Sequence, residues 1–387
     1  MAIILAVCAA LGSPAGRPDV ARPPILIGVS NAQSGPSGFL GRHLLAGSRA
    51  YFDQVNRAGG IHGRKVELVV KDDRYEPEPA VQNTYELINR HHVFFLFDYV
   101  GTPTLTRILP LLRYYQPETI INVAPFTGAE PQRRPPYDRF VFNIRASYFD
   151  ETKALVSYLH AHGARKIGFL GQADAYGKSG EIGVREALSD RGLKISGITT
   201  YRRNESFHTN MVEQVSILRD AGADAVIAVG VYGPCAAFVR DARVSGWDAP
   251  IAFVSFAGAD ALLQILAGNS KEAGMDLTGN LIASQVVPSP DQVQYPLVER
   301  FQKSAPLEDR GFISLEGWLN AAVAVEALTR MGSDESRSGF VRAMESLGGW
   351  DPGMGFRLEF SRERHQATHR VWLVRTRERR WSQIATN

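Results

Sequence analysis

The chain is poor in the features that announce chemistry. Two cysteines, Cys8 and Cys235, in 387 residues are too few for a disulfide framework. The formal charge of +3 is small for this size and gives no concentrated basic face, which argues against a nucleic-acid binder. No strand–GxSxG–helix elbow exists for a hydrolase. Gly171 to Ser179 resembles a phosphate-binding loop, but five residues separate its glycines where the motif needs four, and Asp174 would repel phosphate. His365 and His369 have the spacing of a zinc-protease helix, yet Gln366 stands where the base is needed. The reading is therefore no catalysis, no metal and no cofactor. Beyond the first residues, no stretch approaches the roughly 20 apolar residues that span a bilayer. No Pro/Ser linker divides the chain, and no DNA-binding headpiece or receptor domain accompanies it.

What remains is an ordinary globular balance, 44% hydrophobic and 21% charged. At roughly 100–200 residues per domain, this length predicts two domains. Residues 1–24 stand apart as a signal or tail segment: Ala2 to Leu11 is almost wholly apolar and is followed by Gly12-Ser13-Pro14-Ala15-Gly16. This reads as the core and cleavage region of a secretory signal. The first positive side chain is Arg17, so the expectation is a start upstream of Met1. Leu5-Ala6-Val7-Cys8 resembles a lipoprotein box, with Val7 bulkier than usual, which makes a lipid anchor at Cys8 the alternative to a cleaved signal.

The organising stretch runs from Ile25 to Asp73. An apolar run, Ile25–Val29, reads as a buried parallel strand; a glycine-rich turn, Ser34–Gly41, follows; then a helical pattern from His43 to Ala58; then a strand, Val66–Val70. Such a βαβ unit demands a parallel sheet with covered faces, and the loop after its first strand lies where open α/β sheets bind ligands. Further strands are read at 93–97, 119–123, 166–170, 195–201, 225–229 and 251–254, with helices at 77–91, 105–114, 150–162, 181–191, 211–221, 235–245, 314–331 and 339–347. Phe140–Arg145 and Leu281–Val287 read as extended pieces, and Phe356–Phe360 with Arg370–Val374 as a late β-ribbon. Two successive blocks predict an α/β protein of two doubly wound parallel-sheet lobes joined by a three-segment hinge near Arg145, Ser284 and Asp351. Lobe 1 is then 25–145 plus 285–351, and lobe 2 is 146–284 plus 352–387. Short hinges of this kind suit closure around a ligand.

Six pieces in order carry a family likeness: Ser34-Gly35-Pro36, Asn56 through Gly63, Lys71-Asp72-Asp73, Ala124-Pro125, Tyr176-Gly177, and Glu316-Gly317 opening a helix to Leu328. With them the chain resembles the leucine/isoleucine/valine-type solute-binding proteins that serve ABC importers. The resemblance covers nearly everything from Ile25 onward. It implies a type I periplasmic binding fold, a periplasmic location, a small-molecule ligand between the lobes, and delivery to an ABC permease in the membrane; the expected state is a monomer, and the small net charge leaves no nucleic-acid partner expected. It also implies that the ligand carboxylate is held at Gly101-Thr102 and at Pro125-Phe126-Thr127, where hydroxyls and helix N-terminal amides form an anion site. Tyr176 and Tyr232 would close over the ligand from the second lobe, and Leu40 would form a wall.

One departure bears on the ligand. Where the family's amino-acid binders carry an acidic residue to pair with the ammonium, this chain has Ala257, after Ser255 and Phe256. An ammonium buried without a counter-charge is strongly disfavoured. The expected ligand is an apolar body with one carboxylate, an aromatic or aliphatic acid. Asp174 offers a charge from the neighbouring loop and keeps a branched-chain-type amino acid open as the alternative, with a ligand sensor of the same fold as a third reading. The bland roles are equally concrete: Thr102 and Thr127 as helix caps, Phe126 and Phe256 as core, Arg145 as a hinge brace, Asp72-Asp73 as a loop anchor, and Cys235 as a small buried residue. Arg375–Arg380 reads as solvated surface, or as a contact with an anionic membrane or the permease.

Overall fold

A computed structural model of the chain describes residues 22–384. The segment that carries Cys8 and the signal-like run lies outside the described residues apart from its last three. Strand β1 (Ile25–Asn31) is buried at nearly every position, as a strand covered on both faces must be. It pairs in parallel with β2 (Val66–Asp72) and with β3 (Phe95–Phe97). Strands β4 (Asn122–Val123) and β5 (Val141–Phe142) complete a five-stranded sheet of order β2-β1-β3-β4-β5. The second sheet starts with β6 (Ile167–Gln172), β7 (Ile198–Tyr201), β8 (Ala225–Val229), β9 (Ile251–Phe253) and β10 (Leu281–Gln285), all parallel. It ends with β11 (Trp372–Arg377) and β12 (Arg380–Gln383), both antiparallel, in the order β12-β11-β10-β9-β8-β6-β7.

The helices cover both sheets: α1 (Gly38–Arg57), α2 (Pro77–Asn89), α3 (Thr102–Tyr114), α4 (Tyr148–Ala161), α5 (Ala175–Ser189), α6 (Val212–Asp220), α7 (Tyr232–Val244), α8 (Ala259–Asn269), α9 (Pro296–Ser304), α10 (Phe312–Arg330) and α11 (Arg337–Glu345). Helix α10 locks to α1 although hundreds of residues separate them in sequence. A Cβ at Gly47 would lie 1.8 Å from the Ser314 carbonyl oxygen, and one at Gly317 would lie 2.0 Å from that of Leu44. The two backbones touch, which only glycine permits. Tyr51 packs edge-on against Trp318 at 4.6 Å nearby. This crossing builds the first lobe from two distant parts of the chain.

Several helices start earlier than the apolar periodicity predicts: α1 at Gly38 rather than His43, α3 at Thr102 rather than Leu105, α5 at Ala175 rather than Glu181, and α7 at Tyr232 rather than Cys235. Their first turns carry glycine, threonine or tyrosine, which read as loop. Yet the Asp174 side chain caps α5 by accepting from the Tyr176 amide at 2.9 Å. Helices α8 and α9 have no counterpart in the sequence reading. The late ribbon differs too: β11 pairs with β12, so Arg375–Arg380 forms a hairpin rather than a tail. Phe356–Phe360 forms no ladder. Residues 357–367 instead lie along the first sheet: the Asn143 amide donates to the His365 carbonyl at 2.8 Å, and Ala367 donates back to Asn143 at 2.9 Å. We place the third passage between the lobes beyond Ala367. Among the described residues no helix is long and apolar enough to cross a membrane. Cys235 is fully buried, and burial pushes its thiol pKa up, as an inert core cysteine requires.

Candidate functional site

The carboxyl ends of both sets of parallel strands face each other across the seam between the lobes. On the first-lobe side, the loop after β3 reaches Gly101, whose φ of 106° lies in the left-handed region. A Cβ there would sit 2.1 Å from the Tyr75 ring, so glycine alone fits. Gly101 is also the N-cap of α3, and no side chain caps that first turn. Thr102 opens the helix, and its hydroxyl lies 2.7 Å from that of Thr127, which follows β4. The Thr127 hydroxyl also accepts from the Ala129 amide at 3.3 Å and lies 3.4 Å from the Tyr148 hydroxyl. Two threonines and an uncapped helix N-terminus thus converge, as an anion site needs.

Facing them is a cluster of rings. Phe256, in the short 3-10 turn Ser255–Ala257, lies 4.7 Å from Tyr176, 5.2 Å from Phe126 and 6.0 Å from Tyr75; Tyr148 lies 5.2 Å from Tyr176. Tyr75 and Phe126 belong to the first lobe, and Tyr148, Tyr176 and Phe256 to the second. None is more than 1% exposed. At this level the rings fill the seam themselves, and the lobes are closed on one another. Tyr176 also donates to the Gly230 carbonyl at 3.3 Å. Burial pushes the phenols up, that of Tyr148 to about 12, so these tyrosines are neutral donors.

Tyr232 lies apart from this cluster. Its ring is 5.7 Å from Phe39, and its hydroxyl donates to the Pro36 carbonyl while accepting from the Phe39 amide at 3.4 Å. It ties α7 to the first loop. Leu40 is buried under the same tie, facing Gly258. Pro125 is buried beside Phe126 on the first-lobe side.

The carboxylates around the site are already engaged. Asp174 accepts from the Tyr176 amide and from Gln172 at 2.6 Å, and it lies 3.7 Å from Arg203. Burial raises its pKa, and those donors offset part of the rise. Ala257 is buried and presents no charge. Glu151 accepts from the Ser255 amide at 2.7 Å and from the Ser284 hydroxyl at 2.6 Å. Arg145 lies between Glu151 and Glu316, 3.6 Å from each, with its guanidinium 4.4 Å over the Phe126 ring and a hydrogen bond to the Ser255 hydroxyl. It joins the crossing segment to both lobes, which is the bracing role. The fit is incomplete, because Nε and Nη1 of Arg145 and one oxygen of Glu151 have no hydrogen-bond partner. Burial pushes Glu316 up to about 7 against the pull of Arg145.

More ties cross the seam. Gln172 donates to the Tyr75 hydroxyl at 3.2 Å, and Asp260 accepts from the Phe312 amide at 2.8 Å. Tyr75, Tyr148, Gln172 and Glu316 stand outside the site residues expected from sequence. Tyr148 carried a signal, because it follows Ser147, which forms a capping box with Asp150. Tyr75 follows an Asp-Asp pair whose second member, Asp73, accepts from its amide at 2.9 Å. His365 stacks on Phe142 at 3.8 Å and His369 lies 2.9 Å from Asp150, so the two histidines serve different neighbours. Among the described residues no group of three His, Cys, Asp or Glu side chains gathers as a metal set.

The periplasmic binding protein family model matches residues 24–380. A solved structure described as a possible leucine/isoleucine/valine-binding protein from Rhodopirellula baltica is 33% identical, with a TM-score of 0.84 over 96% of this chain and 98% of that one. Two proteins of Pseudomonas aeruginosa also match. An amino acid binding protein is 25% identical over 57% of this chain, and a leucine-, isoleucine-, valine-, threonine-, and alanine-binding protein is 22% identical over 58%. The alignment spans 58% of the length of each of these two relatives. Two parallel-sheet lobes, the ordered motifs and a match across nearly the whole described chain make one conclusion: the chain belongs to the periplasmic binding protein family, in its type I, leucine/isoleucine/valine-binding branch.

Proposed function

We propose that this protein is the extracytoplasmic solute-binding component of an ABC importer, and that it binds a small, largely apolar acid between its lobes for delivery to a membrane permease. The observation that carries the ligand class is the pairing of the Thr102 and Thr127 hydroxyls at the uncapped start of α3, opposite a ring cluster with no free carboxylate. The hydroxyls and amides receive the carboxylate. The rings of Phe126, Tyr176 and Phe256 flank the apolar body. An ammonium would find Ala257 where a counter-charge is needed.

The rings pack on one another in the closed form, so ligand enters an opened form and takes over part of their contacts. Closure is then favoured only by the difference in affinity between the closed and open forms. An amino-acid ligand is the second reading, supported by Asp174 at the first turn of α5 beside Tyr176 and by the name of the Pseudomonas relative. A thermal-shift panel of carboxylic acids against amino acids separates the two. Ligand that binds only the folded state raises the melting temperature, by about 2.7 kcal/mol of stability at a hundredfold excess over Kd. The reading predicts shifts with aromatic or aliphatic acids; shifts with α-amino acids alone contradict it.

A further inference from the structure

At the seam the rings of the cluster are buried against one another, and an open apolar pocket of about 400 Å³ adjoins them. Thr102 is common to both, with its hydroxyl on Thr127 inside and its place in the pocket wall outside. The first lobe supplies Pro131 to the pocket. The second supplies Phe149, at the start of α4, and Ala175, Ser179 and Ile182 from α5. Those three α5 positions follow the i, i+4, i+7 spacing of a single helix face, so the pocket floor runs outward along α5 from its first turn. That first turn also holds Tyr176 of the ring cluster. The two rim cations have their own partners: Arg134 lies 3.0 Å from Glu130, and Lys178 lies 3.2 Å from Glu181. No unpaired charge is offered to what lies between them. The volume falls within the roughly 300–1,000 Å³ of small-molecule sites, which are mostly apolar with few polar groups.

We infer that this pocket is the outer half of the binding cleft and takes the uncharged, apolar tail of an elongated acid whose carboxylate lies at Thr102 and Thr127. The inference rests on the carboxylate reading of the site and goes beyond it by setting the length and direction of the ligand: outward between α3 and α5. Both lobes line the pocket, so a tail lying in it adds contacts that exist only when the lobes are closed.

The test uses the full chain and titration calorimetry with benzoate, phenylacetate, 4-phenylbutyrate and 6-phenylhexanoate. In the unsubstituted protein, affinity should rise roughly fourfold per added methylene until the pocket is full. Ile182→Trp, at a position 38% exposed, fills the pocket without disturbing the core. It should abolish the gain for the two longer acids and leave benzoate, too short to reach α5's second turn, unchanged. Ile182→Ala should reduce that gain without abolishing it, and melting curves confirm that both variants fold. A flat series in the unsubstituted protein, or equal weakening of short and long acids by Ile182→Trp, overturns the inference and leaves the carboxylate reading standing. Failure of every acid to bind while an amino acid does overturns both.

Discussion

Arg203 of the second lobe donates a 2.8 Å hydrogen bond to Glu76, which stands immediately before α2 in the first. Asn204 donates to the other oxygen of the same carboxylate at 2.6 Å. Glu76 is thus a clasp at the mouth of the seam, independent of the rings within it. Both charged partners are partly exposed, and pairs of this kind contribute about 0.2–1 kcal/mol. Glu76→Gln should therefore raise the ligand Kd by up to about fivefold by favouring the open form. Small-angle scattering of the ligand-free variant should show a larger radius of gyration. An unchanged Kd and radius would show that the clasp does not bias closure.

The hydroxyl pair at Thr102 and Thr127 gives a second prediction. Thr102→Val and Thr127→Val keep the shape and remove one donor each. A net hydrogen bond is worth about 0.5–1.5 kcal/mol and roughly twice that to a charged group. Each change should weaken carboxylate ligands by about tenfold or more in calorimetry, while melting of the ligand-free protein reports separately the cost of the lost buried hydrogen bond. Unchanged affinity in both variants would return the threonines to a purely structural role.

Two buried carboxyls, Glu316 at the Arg145 brace and Asp73 beneath Tyr75, predict a pH dependence. Burial raises Glu316 from an ordinary 4.5 to about 7, and Asp73 from 3.8 to about 7. The folded state then holds these protons more tightly than the unfolded chain, and stability falls as they leave. The contribution is full below the unfolded pKa values near 4 to 4.5 and is lost as pH rises through about 7. Denaturant melts at pH 5 and pH 8 should show higher stability at pH 5, with a difference of a few kcal/mol at about 1.4 kcal/mol per pKa unit. Glu316→Gln should remove part of that difference. Equal stability at the two pH values would mean that Arg145 keeps Glu316 ionised throughout.

The contact of α1 with α10 sets a fourth. Gly47→Ala drives a methyl to 1.8 Å from the Ser314 oxygen, in a place where neither backbone can yield alone. Overpacking of this kind costs about 1–3 kcal/mol and more where backbone blocks it. The variant should melt well below the parent or fail to fold. A variant of equal stability would show that the two helices part easily.

The sequence carries much of the fold and less of the site. Apolar runs such as Ile25–Val29 and Ala225–Val229 mark buried parallel strands because every position is covered, and both are strands in the structure. Helix starts are harder to see, because Gly101, Asp174 and Val231 precede first turns whose residues serve the seam rather than a core stripe. Thr102 and Thr127 are together as expected, and Tyr176, Phe126 and Phe256 share one cluster. Tyr232 turns instead to Pro36, since side-chain direction depends on how the lobes close and not on local pattern. Asp174 is committed to capping α5, a role that the Ala175–Tyr176 turn implies only once the helix is known to begin there. Tyr75 and Glu316 reach the site from segments far apart in sequence through long-range packing, which periodicity does not encode.

The most direct measurement compares ligands that differ only in the ammonium group: 3-phenylpropionate with phenylalanine, and 4-methylpentanoate with leucine, each by calorimetry at neutral pH. With Ala257 where a counter-charge would be needed, each plain acid should bind at least tenfold more tightly than its amino acid. Tighter binding of the amino acid in both pairs would contradict the account.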